Sequence, residues 1–378
     1  MTPPEPYDAL VVGAGPAGSA AAATLARGGR RVLLLEKDRF PRSKVCGEFL
    51  SAAALESLDR LDLRRQVLDA AERIESGSVH PASGRAVAFR LPAPGAGLSR
   101  RVLDELLARR AVSLGAEAVF EARVLQLARE PSCFRARVKT AAGEREIEAR
   151  AAIGAWGRWD ALDRSRTRKL AGGRNRFSAW TVDFAPSESL AGQVRLYLFP
   201  GGYCGLSRVE GGRAHLAGVV SERVRRALPP GWPAVVAHAR RANRALDFDL
   251  STLSEGPCGF LGAGPVFFSA KPTVENGVLM AGDAGGVIDP FSGEGQAGAL
   301  SSGILAARAV ERGLSGEIPV SSVASEYAEA WQARFSAGFA WSAAFRRLVL
   351  APGAGAFAAW IGGDRLARFA IARLTAHG

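Results

Sequence analysis

The chain has 378 residues, of which 48% are hydrophobic, and its formal net charge is +12. This size allows a large core and two subdomains. The first residues lack a basic segment followed by a long apolar run, so no secretory signal is expected. The basic residues are not accompanied by an aromatic or helical reading element, which argues against a nucleic-acid partner.

The four cysteines are widely spaced, with no CxxC pair and no histidine cluster beside them. We therefore expect no disulfide framework and no metal site, and a reducing, cytoplasmic location fits best.

The N-terminal residues predict a β-α-β unit. Residues 7–12, "YDALVV", are typical of a buried parallel strand, and "GAGPAG" follows directly. An alanine-rich helix then ends at the Gly28-Gly29 pair, and "RRVLLLE" predicts a second buried strand that ends in Glu36.

The pattern changes further along the chain. Residues 76–95 and 166–274 alternate as antiparallel strands do, whereas residues 277–281 predict another buried strand before a small-residue helix. We therefore predict an α/β fold in which a discontinuous, Rossmann-like nucleotide-binding domain carries an inserted antiparallel β-sheet domain. The predicted bounds are 1–75, 96–165 and 275–325 for the nucleotide-binding domain, 76–95 and 166–274 for the substrate-binding domain, and 326–378 for a C-terminal helical cap.

Gly13, Gly15 and Gly18 have the G-x-G-x-x-G spacing of a dinucleotide-binding turn. The first glycine permits the tight turn, the second admits a pyrophosphate, and the third lets helix and strand pack closely. The helix N-terminus then offers free N–H groups to phosphates. Glu36, at the end of the second strand, is placed to accept hydrogen bonds from an adenosine ribose.

A second motif distinguishes FAD from NAD. In "VLMAGDAGGVIDPFSGEGQAGALSSG", Asp283 directly follows a strand, and glycines precede the next helix. A carboxylate at this position can hold polyol hydroxyls, and the helix N-terminus can face charge on a flat ring. An extended FAD needs such an element, whereas NAD does not.

These motifs, with "CGEFL" and "SRRVLDELL", resemble the geranylgeranyl reductase-like branch of FAD-dependent oxidoreductases. That branch belongs to the flavoprotein superfamily with the para-hydroxybenzoate hydroxylase fold. The resemblance implies that Arg100, followed by Asp104, contacts FAD, that Asp283 binds the ribityl chain, and that residues 293–296 face the flavin. The predicted cofactor-binding residues are Gly13, Gly15, Pro16, Ala17, Gly18, Glu36, Lys37, Cys46, Gly47, Arg100, Gly282, Asp283, Gly293, Gly295, Gln296 and Ala297.

One position departs from the superfamily. Where the NADPH-using hydroxylases have an aspartate-glycine pair, this chain has Trp156-Gly157, and tryptophan cannot accept hydrogen bonds. No second G-x-G-x-x-G follows a strand. We therefore expect NAD(P)H to visit the flavin transiently, or a separate reductase or ferredoxin to supply electrons.

The stretch "RLYLFPGGYCGL" resembles the substrate-cavity strand of the reductases. Tyr197, Phe199 and Tyr203 are the predicted walls of an apolar substrate pocket, and an ordinary sheet face with a hairpin is the equal alternative. His80 and His215 are isolated in the sequence, so we expect structural or surface roles for both.

The tail from residue 331 to residue 378 is aromatic and rich in arginine. Its longest uncharged run has 16 residues and is broken by proline and glycine, which is too short for the about 20 residues of a membrane-spanning helix. The tail is predicted to cap the substrate pocket, with peripheral contact to a membrane as the alternative.

The resemblance favours reduction of a carbon–carbon double bond in a bulky, hydrophobic isoprenoid or specialised-metabolite substrate, with hydride from N5 of FAD. One alternative is a monooxygenase or halogenase-like oxygenase with a separate reductase, since "RFPRSKVCGE" is similar to a halogenase stretch. Another is an electron-transfer flavoprotein. Cys46 and Glu294 are the candidate catalytic residues. Cys46 is either a thiol that tunes or protonates at the flavin, or a small packing residue.

Overall fold

The computed structural model describes residues 5–83, 85–158, 160–165, 176–253 and 258–349. The strands are β1 (Tyr7–Val12), β2 (Val32–Leu35), β3 (Phe49–Leu50), β4 (Glu72–His80), β5 (Val87–Gly97), β6 (Glu117–Val119), β7 (Arg123–Arg129), β8 (Phe134–Thr140), β9 (Gly143–Gly154), β10 (Phe177–Pro186), β11 (Gly192–Phe199), β12 (Gly202–Arg208), β13 (Arg213–Ser221), β14 (Cys258–Val266), β15 (Ser269–Ala270), β16 (Val274–Glu275), β17 (Val278–Met280) and β18 (Gly286–Val287). The helices are α1 (Pro16–Arg27), α2 (Ala52–Asp59), α3 (Arg64–Ala70), α4 (Arg100–Ser113), α5 (Ala161–Ser165), α6 (Glu222–Ala227), α7 (Trp232–Ala242), α8 (Arg244–Ser251), α9 (Gly295–Leu314) and α10 (Val323–Val349).

The first sheet has a parallel centre. Its strand order is β16-β17-β9-β1-β2-β6, and β8 and β7 continue as antiparallel strands from β9. Val11 of β1 lies between Leu34 of β2 and Ile153 of β9. These strands read as unbroken apolar runs because both faces of their sheet are covered. The carboxyl ends of β1, β2, β9 and β17 meet at one edge, where ligands of α/β sheets bind. The predicted α/β fold class is confirmed.

The second sheet has the order β14-β10-β13-β12-β11-β4-β5-β3, and its pairs are antiparallel except β11 with β4. One of its faces packs against α7 and α8 through a core that includes Trp180, Tyr197 and Leu246. The other face carries Val79, Tyr203 and Val219. The predicted domain boundaries stay a prediction, although the two sheets follow the expected parallel and antiparallel patterns.

Helices α1 and α9 approach each other to backbone contact. A Cβ on Gly303 of α9 would lie 2.0 Å from the carbonyl oxygen of Ala17 in α1. On the other side of α1, a Cβ on Gly18 would lie 1.8 Å from the carbonyl oxygen of Gly13. Only glycine fits at either position, since a real Cβ cannot approach a carbonyl so closely. The two helices therefore begin close to the same edge of the first sheet.

Helix α10 corresponds to the first part of the predicted C-terminal cap. Tyr327, Trp331 and Phe335 are buried, and the Tyr327 hydroxyl donates to the Met280 carbonyl at 2.7 Å. Trp341 keeps 47% of its surface exposed. Residues 350–378, which include the longest uncharged run from Ala351 onward, lie outside the described residues. Within the described part of the chain, no helix is both long and apolar enough to cross a membrane.

The contact between α1 and α9 can be tested with two glycines of the same helix. We expect Gly303→Ala to lower the free energy of unfolding by about 1–3 kcal/mol, because the methyl group must push α9 away from Ala17. Gly298→Ala is the control, since a Cβ there meets nothing within 4 Å. It should be neutral or stabilise by up to about 1 kcal/mol through helix propensity. Urea unfolding of the FAD-loaded proteins measures both values, and equal effects would contradict the close contact.

Candidate functional site

A large cavity lies between the carboxyl edge of the first sheet and the open face of the second. Its volume is about 940 Å³. One end is lined by glycines and charged side chains, and the other by apolar side chains. Of the predicted cofactor-binding residues, all but Gly18 and Ala297 line it. Gly18 and Ala297 are buried behind the lining, where they pack α1 and α9.

The glycine turn after β1 forms the first part of the polar end. Gly13 has a φ of +103°, and a Cβ there would lie 2.4 Å from the carbonyl oxygen of Ala155. A Cβ on Gly15 would meet only the Arg100 guanidinium, at 3.6 Å, so the backbone at Gly15 is open to the cavity. Helix α1 begins at Pro16, and its free N–H groups face this space. The turn is shaped to receive an anionic group such as a pyrophosphate.

Glu36 lies at the end of β2 with only 5% of its surface exposed. Its carboxylate accepts hydrogen bonds from the backbone N–H groups of Ala14 (2.8 Å) and Asp38 (3.0 Å), and from the Arg42 guanidinium (3.1 Å). The neighbouring Lys37 pairs with Asp160 at 2.7 Å. The carboxylate is thus fixed and lines the cavity where a ribose is expected.

Arg100 is fixed by a two-point ion pair. Its Nε and Nη2 donate to the two carboxylate oxygens of Asp104, each at 2.7 Å. Asp104 is buried and also accepts from Arg42 at 2.6 Å. The predicted R-x-x-x-D pattern is therefore one turn of α4 that holds the Arg100 guanidinium against the cavity. Burial lowers and the Asp104 charge raises the pKa of Arg100, and the net direction is upward, so the group stays charged.

Asp283 faces the cavity from the turn after β17. Gly282 has a φ of +62°, and its N–H donates to the Ser302 hydroxyl at 2.8 Å. The Asp283 carboxylate lies 3.4 Å from the Arg158 guanidinium. Lys271 donates to the carbonyl oxygens of Arg158 (2.9 Å) and Asp283 (3.1 Å). Backbone contacts therefore set the position of Asp283 and leave its carboxylate at the cavity.

Helix α9 begins at the same cavity, one residue after Glu294. Gly293 has a φ of +72°, and a Cβ on Gly295 would meet nothing within 4 Å, so this backbone is open to a ligand. Glu294 is 4% exposed, and one carboxyl oxygen accepts from the Ser51 hydroxyl at 3.0 Å. The other is buried without a hydrogen-bond partner among the described residues. Burial raises the pKa of Glu294 to about 7.

Cys46 lies opposite the start of α9. Its Sγ accepts from the Gln296 side-chain amide at 3.0 Å and from the backbone N–H of Glu48 at 3.3 Å. Burial raises the pKa of the Cys46 thiol, and the charge of Arg100 only partly opposes this. Lys44 and Arg42, two cations near it in sequence, pair with acids instead: Lys44 with Asp38, and Arg42 with Glu36 and Asp104. The thiol is therefore protonated at neutral pH.

Trp156 occupies the position where the hydroxylases have aspartate. Its ring lines the cavity, and its Nε1 donates to Asp163 at 3.0 Å. The tryptophan thus closes the polar end with an aromatic wall.

Two of the three predicted substrate-pocket residues do not line the apolar end of the cavity. Tyr203 lines the cavity, and its hydroxyl donates to the buried Asp289. Tyr197 and Phe199 do not line it, because they point to the opposite face of β11, into the core under α7 and α8. Side chains alternate along a strand, so Leu196 faces the cavity in their place.

A buried cluster of three polar side chains lies beside Cys46, and the sequence did not predict it. His215 of β13, Asp183 of β10 and Glu48 lie together, and the His215 Nε2 lies 2.8 Å from the carbonyl oxygen of Cys46. His215 is structural in the sense predicted, since it is 4% exposed, but it contacts the turn that carries Cys46. No local signal in the sequence joins His215 to Cys46, which lies 169 positions away. His80 stacks on Tyr197 away from the cavity.

The polar end fits an extended FAD. The open backbone at Gly15 suits the phosphates, Glu36 the adenosine ribose, Asp283 a polyol, and the N-terminus of α9 an electron-poor ring. Adding a Cβ at Gly13 or Gly18 would block the turn. These donors and spaces lie along one continuous cavity.

Known proteins agree with this geometry. A model of the FAD binding domain family matches residues 6–191. The digeranylgeranylglycerophospholipid reductase of Methanosarcina mazei is 27% identical, with 86% of this chain and 80% of that protein aligned. The structure of a geranylgeranyl bacteriochlorophyll reductase-like protein from Thermoplasma acidophilum is similar with a TM-score of 0.80, 20% identity, and coverage of 98% of this chain and 96% of that one. A flavin-dependent brominase has a TM-score of 0.82 at 18% identity, with coverage of 98% and 94%.

The FAD-binding domain, the FAD cofactor and the resemblance to geranylgeranyl reductases are thereby confirmed. The solved structures show the fold alone at these identities. The individual cofactor and substrate contacts stay predictions.

The contribution of Glu36 to cofactor binding can be measured directly. Glu36→Gln removes the charge that would accept a hydrogen bond from the adenosine ribose, and we expect about 10- to 100-fold weaker FAD binding, since a hydrogen bond to a charged group is worth about 1.5–3 kcal/mol. Asp38→Asn is the matched control, because Asp38 is a neighbouring acid that does not line the cavity. Fluorescence titration of the two apoproteins with FAD gives both affinities. Equal losses in the two variants would contradict the assignment.

Proposed function

We propose that this geranylgeranyl reductase-like FAD-dependent oxidoreductase reduces a carbon–carbon double bond in a bulky, apolar substrate of isoprenoid type. The observation that supports this most is the continuity of the cavity, which runs from the FAD-binding residues directly into an apolar chamber. The named relative acts on a digeranylgeranyl lipid. Bound FAD, once reduced, supplies a hydride from N5 of its ring.

The apolar chamber has the chemistry for long hydrocarbon groups. Its wall combines aliphatic and aromatic side chains from the second sheet, from the segments after β14 and β18, and from α10: Val79, Val87, Phe89, Leu91, Val194, Leu196, Val219, Phe268, Phe291 and Phe345. Burial of each CH₂ group stabilises a complex by about 0.8 kcal/mol. The lining side chains Val87, Phe89 and Leu91 of β5 are only partly buried, so this strand lies nearest to solvent and supports an entry for a long chain. A substrate bound there would exclude water from the start of α9.

Two proton-holding groups beside the start of α9 support a reduction. Hydride transfer to one alkene carbon must be matched by a proton to the other. Glu294, with a pKa of about 7, is protonated in about half of the molecules at neutral pH, and burial keeps the thiol of Cys46 protonated there. Gln296 contacts the Cys46 thiol and orients it. The N-terminus of α9 favours negative charge on a ring beside it.

The source of electrons is a separate proposal. The second glycine stretch, "GAGPVF", lies largely within β14 and does not begin a helix, so it has no phosphate-binding N-terminus. This supports transient NAD(P)H binding at the flavin, or a partner reductase or ferredoxin. Cys46, Cys133 and Cys204 are free thiols, which supports a cytoplasmic location. For α10 we keep the role of a cap, since its aromatic side chains pack on the first sheet.

The reaction can be identified from the mass of the product. The FAD-loaded enzyme is reduced with dithionite under anaerobic conditions and mixed with a geranylgeranyl lipid. We expect a product with two additional hydrogen atoms, because hydride and proton add across one double bond. The fully saturated lipid is the control and should be unchanged. A product that gains an oxygen or a halogen only after air and halide are admitted would overturn the proposal in favour of an oxygenase.

The pH dependence of the rate of alkene reduction should report the protonation state of Glu294. Below a pH of about 7 its carboxyl group is protonated, so the rate of alkene reduction by the pre-reduced enzyme should fall about tenfold per unit above that pH. Glu294→Gln removes the transferable proton. The rate should fall by about 100-fold, and the decrease in rate above a pH of about 7 should disappear.

Glu56→Gln is the control for the same measurement, because Glu56 is exposed on α2 and does not line the cavity. It should keep the wild-type rate and profile. If the rate in Glu294→Gln still fell above a pH of about 7, Glu294 would be excluded as the proton donor.

A further inference from the structure

The turn formed by Cys46, Gly47 and Glu48 joins the two sheets at the cavity. Glu48 has a φ of +55°, the left-handed region that residues other than glycine seldom adopt. Its carbonyl oxygen accepts from the Leu98 N–H at 3.0 Å, and its carboxyl group accepts from the Arg100 N–H at 3.0 Å. Such a conformation persists only where surrounding contacts fix it. The turn is therefore held on several sides, and Cys46 is placed by it.

His215 contacts this turn from the second sheet with both ring nitrogens engaged. Its Nε2 lies 2.8 Å from the carbonyl oxygen of Cys46, and its Nδ1 lies 2.7 Å from a carboxylate oxygen of Asp183. A carbonyl oxygen only accepts, so Nε2 must carry a hydrogen. The other oxygen of Asp183 accepts from Arg213 at 3.0 Å, which keeps Asp183 ionised and accepting. Nδ1 must then also carry a hydrogen, and a ring with two N–H groups is an imidazolium.

The charges around His215 agree with this state. Besides Asp183 of β10, the Glu48 carboxyl group lies 3.4 Å from Nδ1. Glu210, in the turn before β13, pairs with Arg213 at 2.7 Å. Arg100, whose backbone N–H contacts Glu48, is paired through its side chain with Asp104. Arg213 pairs with both Asp183 and Glu210, so an imidazolium at His215 adds a second positive charge to this group of acids. Burial raises the pKa of Glu48, and a positive charge on His215 opposes that rise. Burial tends to lower the pKa of His215, but Glu48 and Asp183 more than offset it, and the net pKa is raised.

We propose that His215, as an imidazolium, is a positioning residue for Cys46. Its N–H bond to the Cys46 carbonyl fixes the turn, so that the Cys46 thiol meets the Gln296 amide at the start of α9. Because the pKa of His215 is raised in the folded protein, this contact is complete below the ordinary histidine pKa of about 6.5. As the pH rises through the folded-state value, the ring keeps the hydrogen on Nδ1, which is bonded to the charged Asp183, and Nε2 loses its hydrogen, so the contact with the Cys46 carbonyl is lost. The inference does not depend on the substrate or on the direction of the reaction.

The protonation state can be observed in the unmodified holoenzyme. The chain contains only four histidines, so ¹⁵N-histidine labelling gives few signals, and those of His215 are identified by their absence in His215→Gln. At neutral pH we expect both ring nitrogens of His215 to show N–H signals of the imidazolium. Signals of a single neutral tautomer at this pH would overturn the proposal. So would one equivalent of a bound divalent metal whose removal by a chelator shifts the His215 signals.

The positioning role is tested by the reactivity of the Cys46 thiol in the FAD-loaded protein. We expect iodoacetamide to modify Cys46 about tenfold faster in His215→Gln, since a hydrogen bond from a charged group is worth about 1.5–3 kcal/mol. In the wild type the rate should rise additionally at the pH where the His215 signals titrate, and this step should be absent in the variant. Peptide mass spectrometry separates Cys46 from Cys133, which serves as the internal reference.

His238→Gln is the control, because His238 is a half-buried histidine of α7 whose side chain contacts the Pro200 carbonyl and the Phe199 ring and does not line the cavity. It should react as the wild type does. If His215→Gln does not retain FAD, the pH profile of Cys46 modification in the wild type decides whether His215 positions Cys46. The positioning role would be contradicted if the rate of Cys46 modification rose only with ionisation of the thiol and showed no additional increase at the pH where His215 titrates. Neither measurement uses turnover, so a failed reductase assay leaves both results interpretable.

Discussion

The close approach of α1 to β1 and to α9 sets the geometry of the cavity. At Gly18 and Gly303 the backbones meet with no room for a Cβ, and between them α1 presents a nearly continuous surface of buried alanines. This packing brings the N-termini of two long helices to the edge where the parallel strands end. Each N-terminus contributes free N–H groups and positive potential. A separation larger by one methyl group would move the two binding elements apart.

The cavity divides into a charged end and an apolar end, and the boundary lies at the Cys46 turn. At the charged end Arg100, Asp104, Arg42 and Glu36 form a chain of buried ion pairs, in which each charge has a partner. Buried charges persist when they are paired in this way. Beyond the turn, the lining is mostly hydrocarbon. The groups at the boundary, the Cys46 thiol and the Glu294 carboxyl, are those whose pKa burial raises, so proton-holding groups lie where hydride and substrate would meet.

Local patterns in the sequence were sufficient for the first binding element. The strand, turn and helix around Gly13 depend on residues within a few positions, and the structure has them where they were predicted. The helix that begins at Gly295 follows from its glycines and alanines in the same way. The FAD cofactor and the fold class could be inferred from these two elements.

Features that depend on tertiary contacts could not be read from the sequence. Alternation places Tyr197 and Phe199 on one face of β11, but whether that face meets the cavity or α7 and α8 depends on how the sheet is covered. Cys46 and His215 are 169 residues apart and meet because β13 passes behind the turn. The cations near Cys46 in sequence turned out to pair with other acids. In each case the deciding partner lies on a distant element of the chain.

Hydride transfer from reduced FAD to an alkene is the reaction proposed for this cavity. The most direct test mixes the fully reduced holoenzyme with a geranylgeranyl lipid in a stopped-flow instrument without oxygen, while the oxidised flavin absorbance is followed. We expect this absorbance to return at a rate that rises and saturates with lipid concentration, whereas the saturated lipid should leave the flavin reduced. A flavin that stays reduced with the alkene and is reoxidised only when oxygen is admitted would contradict the proposed hydride transfer.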